Sequence, residues 1–293
     1  MADFAKASPA KHKSVLLQES IEGLNLTSGK LLVDGTFGGG GHSREVREKL
    51  GEGVQIIGLD RDPAVAEAMA GKPDDIDVRT LNFADIDKLE VEPDAILLDL
   101  GFSSDQLESS GRGLSFLRNE PLDMRLSGEG FTAAQVLNSW DESAIELVLK
   151  GFGEERYARR IAHEIALRRR VRFFETTEDL VEAVNAAVPP AYRHGKIHPA
   201  TRTFQALRIT VNEELPNLEK GLEKGFKILE KNGRFAVISF HSLEDRIVKN
   251  FFRDKVAAGE GKAITKKPIV PSEEEVRENP RSRSAKLRII EKI

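Results

Sequence analysis

The chain has 293 residues, 40% of them hydrophobic and 31% charged, which excludes a disordered chain and supplies apolar material for one large domain or a main domain carrying an insertion. Its formal charge of -4 excludes a protein that coats nucleic acid indiscriminately, so any RNA-facing surface must be regional. Cysteine is absent, which removes disulfides, thiolate catalysis and cysteine-ligated zinc and fits a reducing cytoplasm.

The first thirteen residues are small and basic but lead into no apolar core of signal-peptide length, and no run of about 18 apolar residues follows, so neither export nor a membrane span is expected. From residue 31 short apolar runs alternate with amphipathic ones. Residues 31–33 read as a strand before a glycine loop, 43–50 as a helix and 54–59 as the next strand. A helix over 63–70, a short strand over 78–81 and a wholly apolar strand over 95–98, closed by Asp99, continue the pattern. Such alternation builds a parallel sheet. Past Asp99 the rhythm stops, and about a hundred polar, Arg- and Glu-rich residues follow with helical patterns over 142–150 and 154–170, which predicts an inserted helical domain. Alternation resumes with a helix through Phe204, Leu207 and Val211, interrupted at Pro216, then a helix over 222–229 and a strand over 234–240. Residues 243–256 read as a helix, 258–280 as irregular and 287–290 as a last strand.

The sharpest local signal is Asp34-Gly35-Thr36-Phe37-Gly38-Gly39-Gly40-Gly41-His42, set between a strand and a helix. Four consecutive glycines in a short connection are entropically costly unless backbone must approach a ligand closely; the competing reading is a flexible turn. The dinucleotide spacing G-x-G-x-x-G fails, because Ser43 stands at the third glycine position counted from Gly38. No phosphate-binding G-x-x-x-x-G-K-[ST], no H-E-x-x-H and no G-x-S-x-G occurs, so kinase, zinc-protease and esterase readings fall. Asp60 ends the second strand, where a carboxylate accepts from ribose hydroxyls; the alternative is a helix cap, although Asp62 before Pro63 is the better cap. Phe83 follows the third strand and is either a ring against an adenine face or a core residue. Asp99 ends the most apolar strand, where open sheets bind ligands.

Several segments together resemble one family, the ribosomal RNA small subunit methyltransferase H or MraW family. They are 12–19, 34–43, Asp60-Arg61-Asp62-Pro63, 98–107, 112–116, Pro121-Leu122-Asp123-Met124-Arg125, Gly153-Glu154-Glu155-Arg156, 198–208, 237–246 and 279–288. The resemblance implies an α/β fold, a Rossmann-like S-adenosylmethionine-dependent methyltransferase sheet interrupted by an inserted, mostly helical domain. The expected borders are 1–109 with 200–293 for the cofactor-binding domain and 110–199 for the insertion. It further implies methyl transfer to the N4 amine of a cytidine in the decoding centre (P site) of 16S ribosomal RNA. Cofactor contacts then fall on Gly40, Gly41, His42, Asp60, Phe83, Asp99 and Gln106; His42 and Gln106 come from the match alone. Ser14, Phe102, Asp105 and Leu114 depart from the usual Pro, Val, Pro and Phe, and Asp105 adjoins Gln106.

A sulfonium methyl is already activated, so no metal is called for, and the amine needs acceptors aimed at its hydrogens. Asp99, Ser239 and His241 are the catalytic candidates, with helix capping as the competing role for His241 and Ser242. Arg156, Arg159, Arg160, Arg168, Arg169, Arg170 and Arg172 outnumber Glu154, Glu155 and Glu164, which suggests a phosphate-facing patch, against the alternative of a solvated charged face. Arg112, Arg125, Arg156, Arg160 and Arg202 are the candidate RNA contacts. The expected partner is 16S ribosomal RNA within the small subunit or a late assembly intermediate, with the target base out of its stack. Two other classes stay open at this stage: a nicotinamide-dependent oxidoreductase, and a non-catalytic RNA-binding assembly factor.

Overall fold

The structure, a computed structural model, describes residues 13–70, 76–101, 111–195 and 197–293. Seven strands form one sheet: β1 (Leu31–Asp34), β2 (Gln55–Asp60), β3 (Asp77–Thr80), β4 (Ala95–Asp99), β5 (Arg234–Ser239), β6 (Gly261–Ala263) and β7 (Lys286–Lys292), in spatial order β3-β2-β1-β4-β5-β7-β6. The run β3-β2-β1-β4-β5 is parallel, and β7 pairs antiparallel with both β5 and β6. Strands covered on both faces favour unbroken aliphatic runs, and Ala95-Ile96-Leu97-Leu98 meets that demand with every residue buried.

Alternation along the strands splits the core into two layers. Leu32, Leu97, Ala236, Ile238 and Leu287 pack with Ile21 and Leu24 of the helix Leu17–Leu24 and with Val46 of the helix Gly41–Leu50. On the other face Val33, Ile96, Leu98, Phe235 and Val237 pack with Leu222 and Phe226 of the helix Glu214–Ile228 and with Val248 and Phe252 of the helix Ser242–Ala257. Each fully buried side chain of this size contributes roughly 1.5–3 kcal/mol, so these layers fix the sheet that carries the site. Between β1 and β4 the winding reverses, and the crevice that such a reversal opens lies beyond the carboxyl ends of the strands. β1, β2 and β4 each end there in an aspartate: Asp34, Asp60 and Asp99.

Several elements differ from expectation. Pro216 does not break a helix but lies in the first turn of Glu214–Ile228, where a missing N–H is harmless; the break falls earlier, at Asn212 and at Glu213 with φ 49°. The stretch 258–280, expected to be irregular, holds β6 and the helix Glu273–Glu278. β6 is ordered by its long-range pairing with β7. The helix is ordered by the Ser272 cap and by Glu275, whose carboxylate accepts the Leu16 N–H at 2.8 Å.

The chain divides into two compact units, Met1–Ser103 with Asn217–Ile293, and Ser104–Pro216. The second unit extends past the expected border at 199, because the helix Thr201–Val211 packs on Ala133–Ser139 and Glu142–Gly151 and buries Phe204, Ala206 and Leu207. Its other helices are Ala158–Arg168, Thr177–Ala187 and the single turn Pro190–Arg193. Thr132 and Thr176 close capping boxes at two helix starts. The helix expected from 154 begins at Ala158, since Glu154 has φ 47° and the Glu155 carboxylate accepts the Tyr157 N–H at 2.7 Å. Among the described residues no helix is long and apolar enough to cross a membrane.

Candidate active site

The glycine loop is tied down at both sides: Gly35 N–H donates to Leu97 O at 2.9 Å and Phe37 N–H to Leu59 O at 2.8 Å. The Phe37 ring lies beneath it, so a Cβ on Gly40 would stand 2.5 Å from that ring, and Gly40 also has φ +72°. Gly38, at φ +51°, likewise needs the left-handed region. Gly41 is held against Ser14, whose Oγ would be 2.0 Å from an added Cβ. Gly39 alone has no such internal reason: its Cβ position is open for 4 Å and its φ is not left-handed. A loop fastened on three glycines and open on the fourth is the cradle a ligand needs.

The strand-end carboxylates differ in what they face. Asp60 accepts Gly38 N–H on one oxygen and Asp62 N–H on the other, both at 2.9 Å. Asp62, accepting Ala64 N–H at 3.1 Å, is the residue that caps the helix Pro63–Met69. Burial pushes the Asp60 carboxyl above its usual range, opposed by the backbone N–H groups of Asp62, Gly38 and Arg61. Asp34 is turned wholly inward, accepting Ser43 Oγ–H at 2.6 Å and Thr36 N–H at 3.3 Å, and burial pushes its carboxyl up. Thr36 Oγ1 accepts Asp99 N–H at 2.6 Å, which joins the ends of β1 and β4.

His42 is 5% exposed and burial lowers its pKa, so the ring is neutral. Its Nε2 faces Val15 O at 3.1 Å, an acceptor only, so Nε2 carries the proton and Nδ1 the lone pair. That Nδ1 lies 3.8 Å from Asp99 Oδ2, while Asp99 Oδ1 accepts Gly101 N–H at 3.2 Å. The structure therefore brings Gly40, Gly41, His42, Asp60 and Asp99 to one edge of the sheet. Asp34, Thr36 and Ser43 support them and had not been singled out; the signal was an aspartate at the end of β1 matching those of β2 and β4.

Other candidates have different surroundings. Phe83 is half-buried with its ring against Gly221, where a Cβ would be 2.5 Å away, so packing accounts for much of it. Ser239 was grouped with Asp99, but β4–β5 register pairs Asp99 with Ile238, which turns Ser239 to the opposite face, its Oγ 3.4 Å from Lys286 O. His241 caps the helix Ser242–Ala257: Nδ1 accepts Glu244 N–H at 3.3 Å, and Glu244 accepts the backbone N–H groups of Phe240 and His241. The capping role thus uses the nitrogen that proton acceptance needs. Gln106 lies outside the described residues.

In the second unit most candidate arginines are engaged internally. Arg112 donates to Leu126 O at 2.7 Å, Arg125 grips both oxygens of Asp123 at 2.7 and 2.8 Å, and Arg202 donates to Glu154 O at 2.9 Å. Arg168 pairs with Glu164 and Glu182, Arg172 with Asp179, and Arg169 donates to Leu137 O and Trp140 O. Arg156 and Arg160 instead lie over the Tyr157 ring, at 5.5 and 5.9 Å from its centroid.

Comparison with known proteins identifies the family. A family model described as the MraW methylase family matches residues 9–293. The ribosomal RNA small subunit methyltransferase H of Synechococcus elongatus is 45% identical over 100% of this chain and 98% of its own. That of Gloeothece citriformis is 47% identical over 96% of this chain and 94% of its own. That of Persephonella marina is 44% identical, with 97% and 99% covered. With loop, strand ends and second unit all inside the match, the chain belongs to the MraW methylase family, methyltransferases of Rossmann-like fold whose methyl donor is S-adenosylmethionine.

Proposed function

We propose that the protein methylates the N4 amine of a cytidine in the decoding centre (P site) of 16S ribosomal RNA, acting in the cytoplasm on the small subunit or a late assembly intermediate. The observation that carries this reading is the placement of Asp60 and Asp99 on either side of a glycine cradle whose one unexplained glycine, Gly39, opens outward. The Asp60 carboxylate at the tip of β2 suits two ribose hydroxyls, and the backbone at Gly39 to Gly41 suits close approach by the rest of an adenosine-bearing donor. S-adenosylmethionine supplies a methyl group already activated on sulfur.

The chain's own residues then have to position an amine and receive a proton. A cytosine N4 lone pair is delocalised into its ring, and an acceptor on its hydrogens returns electron density to nitrogen. Asp99 takes that role in our reading, with Gly101 N–H and Thr36 fixing it at the end of β4. Neutral His42 turns a lone pair toward Asp99 and therefore supplies no positive charge to blunt the carboxylate. Ser239 and His241 act in this scheme through the strand end and the helix cap. The base must leave its stack to reach the crevice, so single-stranded or partly assembled RNA is the form it takes.

The test is to incubate the protein with radiolabelled S-adenosylmethionine and 30S subunits lacking the modification, then digest the RNA and identify the labelled nucleoside. N4-methylated cytidine is expected; label in any other nucleoside sinks the assignment of the acceptor.

A further inference from the structure

We infer that Arg156, Tyr157, Arg159 and Arg160 form the grip by which the second unit holds an unstacked stretch of RNA, with the tyrosine against a base and the guanidiniums on flanking phosphates. The inference rests on the RNA-methylation reading above and names the part of the second unit that makes the contact.

Pairing separates these arginines from most of the rest, and Arg170, also exposed and without an ion pair among the described residues, stands past the far end of the helix Ala158–Arg168, away from the Tyr157 ring. Arg125, Arg168, Arg172 and Arg208 each meet a carboxylate, and Arg112, Arg169 and Arg202 donate to backbone carbonyls. Arg156, Arg159 and Arg160 are exposed, and among the described residues no carboxylate lies within ion-pair reach of them. They stand within one turn of each other at the start of the helix Ala158–Arg168, whose first turn contains no acidic residue. Like charges this close repel, and cations in a first turn oppose the helix dipole. The cluster is unfavourable alone and becomes favourable when a polyanion lies across it.

The aromatic ring between them is fixed. Tyr157 meets Tyr192 edge-on, with centroids 4.9 Å apart at 75°. The Tyr192 hydroxyl donates to Glu155 at 2.9 Å, and Glu155, 3% exposed, accepts Tyr157 N–H on its other oxygen. Glu155 is therefore turned inward to order the aromatic pair, and the exposed charge around the ring is three arginines against Glu154. An ordered ring bracketed by two guanidiniums matches the chemistry of a base flanked by phosphates, since stacking holds any base and guanidiniums hold the backbone. A folded acidic protein surface offers the charges without a flat face for the ring.

The experiment compares wild type, the triple variant Arg156→Gln/Arg159→Gln/Arg160→Gln, and Arg168→Gln/Arg172→Gln, with undermethylated 30S subunits as the probe across a salt series. S-adenosylhomocysteine titration of each variant reads whether the fold and the donor seat are intact. Losing three phosphate contacts should lower the slope of log Kd against log salt by about 2, and weaken binding on the order of 10- to 100-fold at physiological salt. The paired arginines should change the slope by less than about 0.5. Tyr157→Phe should retain affinity, whereas Tyr157→Leu should lose roughly tenfold with an unchanged slope. A triple variant that keeps donor binding, RNA affinity and slope overturns the inference while the methylation reading stands. Should the triple variant lose donor binding, single Arg159→Gln and Arg160→Gln substitutions decide, each expected to lower the slope by about 0.7 and an unchanged slope in both overturning the inference. Wild-type protein that binds donor but no 30S subunit overturns both.

Discussion

The carboxyl edge of the sheet and the arginine-rich second unit both carry functional groups, yet they acquire them differently. At the sheet edge the chemistry follows from backbone: a strand ends, an aspartate stands at its tip, and neighbouring N–H groups orient it, as for Asp60 and Asp99. In the second unit it follows from subtraction, because the arginines that matter are those gathered about the Tyr157 ring and left over after carboxylates and carbonyls have engaged most of the others. The lesson is that position identifies a residue in the first region, whereas only pairing does so in the second.

The strongest way to break the contrast is at Asp99. Asp99→Asn should lower single-turnover methyl transfer by about 100-fold or more with saturating donor and 30S subunits, since an acceptor on the amine is lost; near-normal rates would move the acceptor elsewhere. Next comes the loop. Gly40→Ala forces a Cβ into the Phe37 ring at φ +72° and should cost about 2 kcal/mol of stability, read by urea unfolding. Gly39→Ala should leave stability within about 0.5 kcal/mol but weaken S-adenosylhomocysteine binding roughly tenfold. Equal affinity for wild type and Gly39→Ala would mean that the open glycine faces no ligand.

A smaller effect is expected at His241. His241→Ala should lose about 1 kcal/mol with the helix cap, and His241→Ser, which also caps, should restore it. If both variants turn over normally, the ring serves the helix; a loss of turnover shared by both would return His241 to the chemistry.

The smallest effect concerns Asp34 and pH. Burial raises its folded pKa, so the folded protein binds a proton there more tightly than the unfolded chain. That stabilisation is full below the unfolded value near 3.8 and is lost as pH rises through the raised folded value. Asp34→Asn does not titrate, so its stability relative to wild type should improve with rising pH across that window, measured by urea unfolding at several pH values. A flat difference would mean that Asp34 is unperturbed.

Much of the sheet was legible because apolar runs punctuated by Asp34, Asp60 and Asp99 need no tertiary information to be read. Asp34 escaped notice as a supporting group because its partner Ser43 lies nine residues on, across a turn whose shape the sequence does not fix. β6 has three residues and exists through pairing with β7, so no local pattern announces it. The arginine count over 154–172 overstated the basic patch, because Glu182 and Asp179 reach back from the next helix to neutralise Arg168 and Arg172. Ser239 was misjudged by proximity in sequence to the strand tip: one residue of register decides the face.

The central claim is that the ends of β1 and β2 seat an adenosine-bearing methyl donor, and calorimetric titration of wild type and Asp60→Ala with S-adenosylhomocysteine and with NAD tests it most directly. The account predicts binding of S-adenosylhomocysteine by wild type, a loss on the order of 100-fold in Asp60→Ala from two missing charge-assisted hydrogen bonds, and no binding of NAD by either. Undiminished affinity in Asp60→Ala, or tighter binding of NAD than of S-adenosylhomocysteine, would contradict it.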